Sequence, residues 1–155
     1  MTANTGRSVS RYTKFLFSDG SAMRELQVNT INGVGLTYEE VEQTAFMDAI
    51  KGALLNTPDC QIDIAGPLDT TANGAHAVLS AACGVMTPRS LDVQIGIRHT
   101  WEDGEPQFGI TASATSGFIV SSYMVDPNTA TYTAKFRMYP GSSAPAWGTV
   151  AETVS

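Results

Sequence analysis

Apolar and polar residues alternate along much of this chain. The cleanest run is Leu91-Asp92-Val93-Gln94-Ile95-Gly96-Ile97-Arg98, in which every odd position is apolar. A period of two puts all of those side chains on one face of an extended strand, so the run predicts a half-buried β-strand. The same period appears in residues 132–138, 108–112, 60–64 and 26–29, and more weakly in 12–17 and 34–41. Residues 118–125 are apolar on both faces, which predicts a strand covered from both sides or one that meets a second subunit. Asp19-Gly20, Asp103-Gly104 and Asp126-Pro127-Asn128 each separate two such runs, as hairpin connections do. On this pattern residues 91–139 read as a four-strand meander.

Two segments break the alternation. From Ala75 the apolar residues fall at Val78, Leu79, Ala82, Cys83 and Met86, a helical stripe that ends at Gly84 with Pro88 beyond it. Its other face carries Ala77, Ser80 and Ala81, so this helix is expected to be covered on more than one side. Phe46, Ala49, Ile50, Ala53 and Leu54 have the same spacing, with Thr44 as an N-cap and Asn56-Thr57-Pro58 as a stop, and predict a second helix weakened by Gly52. The expectation is a mainly β chain with one flanking α-helix near 73–84. Residues 1–10 and 140–155 are rich in Thr, Ser, Gly, Pro and Ala without periodicity. They read as arms at either end of a single domain spanning 11–139.

Composition narrows the function. The chain has 155 residues, 43% of them apolar and only 15% charged, with nine Lys and Arg against fifteen Asp and Glu. That length builds a core without metal or disulfide staples. Cys60 and Cys83 stand outside any CxxC spacing and read as small apolar residues in a reducing compartment. No apolar stretch is long enough to span a bilayer, and the first dozen residues lack the apolar core of a secretory signal. A net charge of −6 with no basic cluster excludes a tight nucleic-acid grip. Low charge also reduces repulsion between copies, which fits self-assembly.

Catalytic and metal constellations are absent from the sequence. There is no GxSxG elbow, no phosphate loop and no GxGxxG after a strand. His99 with Glu102, and Asp69 with His76, do not have metal-ligand spacing. The densest acids are Glu39, Glu40 and Glu42, where alternation puts Glu40 and Glu42 on one face and Glu39 on the other, as on a solvated acidic stripe. No enzymatic activity, metal or cofactor is expected.

Residues 35–50, containing Thr44-Ala45-Phe46-Met47-Asp48-Ala49, open a series of pieces whose order resembles the tail tube (major tail) proteins of long-tailed bacteriophages. It continues through Ile62-Asp63-Ile64-Ala65-Gly66-Pro67-Leu68-Asp69 and the helix opening Gly74-Ala75-His76. Later pieces are Gly117-Phe118-Ile119-Val120, then Tyr132-Thr133-Ala134-Lys135-Phe136, then Gly141 with Pro145-Ala146-Trp147-Gly148-Thr149. It covers roughly residues 30–150. One departure is the helical spacing of 44–55, where related proteins often have an irregular loop.

The resemblance implies a β-sandwich or barrel-like subunit, six copies of which close a ring. Rings would stack into a hollow virion tube through which the genome passes. The implied partners are further copies of the chain, a tape-measure protein, tail completion proteins and DNA in transit, with no membrane insertion. An acidic wall repels phosphates over about 8–10 Å at physiological salt, so Glu39, Glu40, Glu42, Asp63 and Asp92 are candidates for the lumen. Phe46, Met47, Ile50, Leu54, Ile119, Tyr123, Val125 and Trp147 are candidates for contacts between subunits or rings. Other readings are a head decoration or head-to-tail completion protein, a stacked-ring effector of a secretion machine, and a ligand-binding β-sandwich.

Overall fold

The computed structural model describes residues 8–47, 49–97 and 106–149. Among them are eleven strands and one helix, and every ladder between strands is antiparallel. The first sheet contains β1 (Ser8–Ser18), β2 (Met23–Leu26), β7 (Leu91–Ile97), β8 (Pro106–Ile110) and β11 (Ala146–Thr149), in the order β11-β8-β7-β1-β2. The second contains β3 (Thr30–Asn32), β6 (Ile62–Pro67), β9 (Phe118–Asp126) and β10 (Thr131–Met138), in the order β3-β6-β10-β9. β4 (Thr37–Glu42) and β5 (Ala53–Asp59) form a separate two-stranded hairpin.

Alternation explains which faces meet. Phe15, Phe17, Leu26, Leu91, Val93 and Phe108 of the first sheet are buried in one cluster with Ile62, Ile64, Phe118, Val120, Tyr132, Ala134 and Phe136 of the second. The ring of Phe136 lies 5.2 Å from Phe15 and 4.8 Å from Phe17, measured between centroids, so it ties the sheets together at their centre. Each such fully buried side chain stabilises the fold by about 1.5–3 kcal/mol. Tyr132 is buried as well, and its hydroxyl donates to the Gln27 carbonyl at 2.6 Å, which satisfies a backbone group in the crossing between β2 and β3. Gly33 follows β3 with φ of 85° and lies against the Gln61 carbonyl, which a Cβ there would overlap. Only glycine fits both constraints.

The helix α1 (Ala75–Ala82) packs against β9 and β2, edge strands of the two sheets, and buries Ala75, Val78, Leu79 and Ala82 as its stripe predicts. It stops where Gly84 adopts φ of 80°, so Met86, the last residue of the predicted stripe, is exposed beyond its end. Ala77, Ser80 and Ala81 are also exposed, so within one chain the helix is covered on one side only.

Four expectations need correction. The second predicted helix does not form: Phe46 and Met47 lie in a turn, and Ala53 to Asp59 is strand β5. Thr44 closes this hairpin instead of capping a helix, since its hydroxyl accepts from the Gly52 N–H at 3.2 Å. An amphipathic helix needs a surface to bury its stripe, and among the described residues none covers this segment. Pro58 is compatible with β5 because that strand pairs on one side only. The meander is also broken: β7 and β8 pair in the first sheet, whereas β9 and β10 pair in the second, so the chain changes layers between Ile110 and Phe118. Residues 26–29 are not one strand; β2 ends at Leu26, and the chain crosses to β3 at Thr30. Finally, part of the proposed C-terminal arm is folded on its own subunit, because Ala146 to Thr149 extends the first sheet by pairing with β8. The Asp19-Gly20 and Asp126-Pro127-Asn128 turns join β1 to β2 and β9 to β10. Asp103-Gly104, His99 and Glu102 lie outside the described residues.

Candidate functional site

The two strands of the β4–β5 hairpin pair from Thr37 with Asp59 to Glu42 with Ala53, and the register shifts between Tyr38 and Glu40. The ladder is extended by the Gln43 N–H, which donates to the Gly52 carbonyl at 2.8 Å. Every residue of both strands is exposed. Neither face of the hairpin packs on either sheet, although Tyr38, Val41, Leu54 and Leu55 lie along it and Phe46, Met47 and Ile50 crowd its tip. A two-stranded ribbon standing free in water is at best marginally stable, and the apolar side chains of this one form an exposed patch.

Four of the eight predicted contact residues, Phe46, Met47, Ile50 and Leu54, therefore come together on one element, with Phe46 fully exposed. The others are dispersed. Ile119 is half-buried on β9 and pairs with Arg137. Val125 is partly exposed near the end of β9. Trp147 is 53% exposed on β11, and its ring packs on Phe108 with centroids 5.0 Å apart. Tyr123 has its partners within the chain: its hydroxyl lies 2.9 Å from His76 Nδ1, and its ring lies 5.8 Å from Tyr132. It anchors α1 to β9, a role that the two-sided apolar run could not reveal.

The five predicted acids likewise occupy three different places. Glu39, Glu40 and Glu42 are exposed on β4, where Glu39 accepts from Asn56 Nδ2 at 3.3 Å. Asp63 lies on the outer face of the second sheet in an ion pair with Arg137 at 2.9 Å, so its charge is locally neutralised. Asp92 lies on the outer face of the first sheet, where its register partners are Leu16 and Gly109. A Cβ at Gly109 would overlap both the Leu91 carbonyl and a carboxylate oxygen of Asp92, so glycine is what lets the carboxylate lie over β8. Loss of hydration there pushes the Asp92 pKa up to about 6. Gln94 beside it is buried, and its side-chain oxygen has no hydrogen-bond partner among the described residues.

Among the described residues no group of three or more His, Cys, Asp or Glu is arranged to hold a metal ion, and no helix is long and apolar enough to cross a membrane. Cys60 and Cys83 are both free, and burial pushes the Cys60 thiol up to about 11, away from thiolate chemistry.

The geometry thus defines an antiparallel two-layer β protein with one flanking helix and a projecting, uncovered hairpin. No protein-family model matches the chain, and no curated protein matches it. Solved structures with the same fold do exist. A chain in the structure of the anti-feeding prophage cap, described as a tube-terminating cap, superposes with a TM-score of 0.64 at 9% identity. That match covers 97% of this chain and 96% of the other. A chain in the sheath/tube terminator of an extracellular contractile injection system gives 0.61 at 8% identity, covering 92% and 97%. A chain in the sheath-tube complex of such a system gives 0.56 at 8% identity, covering 88% and 89%. At these identities the likeness is one of fold.

Proposed function

We propose that this chain is a non-enzymatic structural subunit of a phage tail or tail-like injection particle, in which copies assemble into rings that stack as a tube. The uncovered β4–β5 hairpin carries this reading, because its exposed apolar side chains need a partner surface. The fold supports it, since it is shared with chains from tube, terminator and baseplate assemblies, one of which was reconstructed with six-fold symmetry. On this reading the tube conducts the genome, and a tape-measure protein and tail completion proteins are its partners. The low charge and acid excess favour a wall that DNA can slide along. A second reading, a subunit that terminates the tube, is favoured by the match to the cap chain, which spans nearly all of both chains.

Negative-stain electron microscopy of the concentrated protein tests the proposal. Rings or tubes are expected from the natural chain. A Phe46→Ser, Ile50→Ser double variant should remain folded and monomeric, because each buried apolar side chain of this size contributes about 1.5–3 kcal/mol to a contact. A natural chain that stays monomeric at every concentration in sedimentation velocity would remove self-assembly from the reading.

A further inference from the structure

The dipeptide Asn-Gly occurs twice in this chain, at Asn32-Gly33 and at Asn73-Gly74. Its chemistry is self-modification: with no side chain on the second residue to obstruct it, the glycine backbone nitrogen reaches the asparagine Cγ and closes a cyclic imide. The reaction needs an exposed carboxamide and a glycine N–H that is free to give up its proton. Both asparagines are exposed, so the backbone decides between them.

Asn32 is the last residue of β3, an edge strand of the second sheet, and pairs with Asp63 of β6. Along β6 alternate residues bond to opposite neighbours. Leu68, just past the strand, donates to the Ala130 carbonyl on the β10 side at 2.9 Å, whereas the Ala65 carbonyl accepts from the Asn29 N–H on the β3 side at 2.9 Å. By the same alternation Asp63 also faces β3, and the Asn32 carbonyl points towards it. A trans peptide aims the following N–H the opposite way, so the Gly33 N–H leaves the sheet at its open edge. Among the described residues it has no acceptor. Gly74 is held on both sides instead. It is buried, its N–H donates to the Thr71 carbonyl at 3.0 Å, and its carbonyl accepts from the Val78 N–H at 3.1 Å where α1 begins. Ring closure also turns the asparagine out of its resting conformation. At Asn32 that opens only the end of a three-residue strand, whereas at Asn73 it disturbs the cap of the helix.

We propose that Asn32-Gly33 is a site of spontaneous backbone modification and that the fold protects Asn73-Gly74 from it. Hydroxide removes the Gly33 amide proton, the nitrogen bonds to Asn32 Cγ, and the Cγ–NH2 bond breaks as ammonia leaves with a proton from water. Water then opens the imide at either carbonyl, giving aspartate or isoaspartate. Both products set a carboxylate opposite Asp63, where like charges repel. Isoaspartate also adds a methylene to the backbone just before Gly33, which lies too close to the Gln61 carbonyl to move inward. Modification therefore loosens β3 from β6 and uncovers Ile31, which is half-buried against the core.

Ageing the full chain at mildly alkaline pH tests the assignment, with peptide mapping by mass spectrometry and fragmentation to locate the modified residue. In the folded chain the amide-to-acid mass gain should appear at Asn32 about tenfold or more faster than at Asn73, because the end of an edge strand opens far more often than a buried helix cap. In urea the two rates should agree within about twofold, because the fold no longer distinguishes them. Equal rates in the folded chain, no conversion at Asn32, or faster conversion at Asn73 overturns the assignment. So does a difference that persists in urea, because flanking residues rather than the fold would then set it. Converted chains, separated by anion exchange, should unfold at lower urea than unconverted ones; equal midpoints overturn the loosening of β3.

Discussion

Replacing Asp92 by Asn should stabilise the fold at neutral pH and leave it almost unchanged in mild acid. Asp92 sits on the outer face of the first sheet, and burial alone moves its pKa from 3.8 to about 6. A carboxyl group with a higher pKa in the folded than in the unfolded chain holds a proton more tightly when folded, so stability falls as pH rises from about 4 to 6 and is constant above that. At about 1.4 kcal/mol for each pH unit, the full displacement corresponds to roughly 3 kcal/mol. The side chain keeps some contact with water, and screening reduces this to about 1–2 kcal/mol. Asn is nearly isosteric, fits over Gly109 and carries no charge. For a domain of this size the gain at pH 7.5 corresponds to a rise in Tm of about 2–8 °C. Urea unfolding followed by circular dichroism in dilute protein, at pH 7.5 and pH 4.0, measures it. An equal gain at both pH values would refute the reasoning, because the benefit would then come from packing. A loss at pH 7.5 would refute it more directly, because it would mean that the ionised carboxylate is favourably partnered.

Two further substitutions probe the junction of the sheets. Phe136→Ala should cost about 3–5 kcal/mol in urea unfolding, because the ring is fully buried between Phe15 and Phe17 and the sheets cannot collapse around the gap. Tyr132→Phe should cost about 1–3 kcal/mol by the same assay, since it strands the Gln27 carbonyl without its 2.6 Å donor; an unchanged midpoint would show that water replaces the hydroxyl there.

Sequence periodicity located most of the strands because their alternation reports burial on one face, a quantity local to each strand. Leu91 and Val93 are buried as expected from the pattern, and so are Ile62, Ile64, Tyr132, Ala134 and Phe136. The helix at Ala75–Ala82 was legible for the same reason, because its stripe of Ala75, Val78, Leu79 and Ala82 faces the core. The segment 44–55 was misleading because Phe46, Met47, Ile50, Leu54 and Leu55 are all exposed, so the helical spacing of its apolar residues carried no information about packing. Strand β11 was missed because Trp147 and its neighbours are exposed and show no alternation, and only the ladder to β8 orders them. The five acids looked like one functional class in the sequence. The fold gives them three different surroundings, one ion-paired, one desolvated and three open to water.

The sequence by itself determined a mainly β chain with one flanking helix near 73–84, a low-charge acidic composition, and an apolar set at 46–54 whose helical spacing predicted a second helix. Those are properties of composition and of neighbours a few residues apart. Tertiary structure alone decided that β7–β8 and β9–β10 belong to different layers, that Tyr123 ties helix to sheet, and that Phe46, Met47 and Ile50 crown a ribbon standing clear of both sheets. These depend on contacts between residues far apart in the chain, whose free energies exist only once the layers have met.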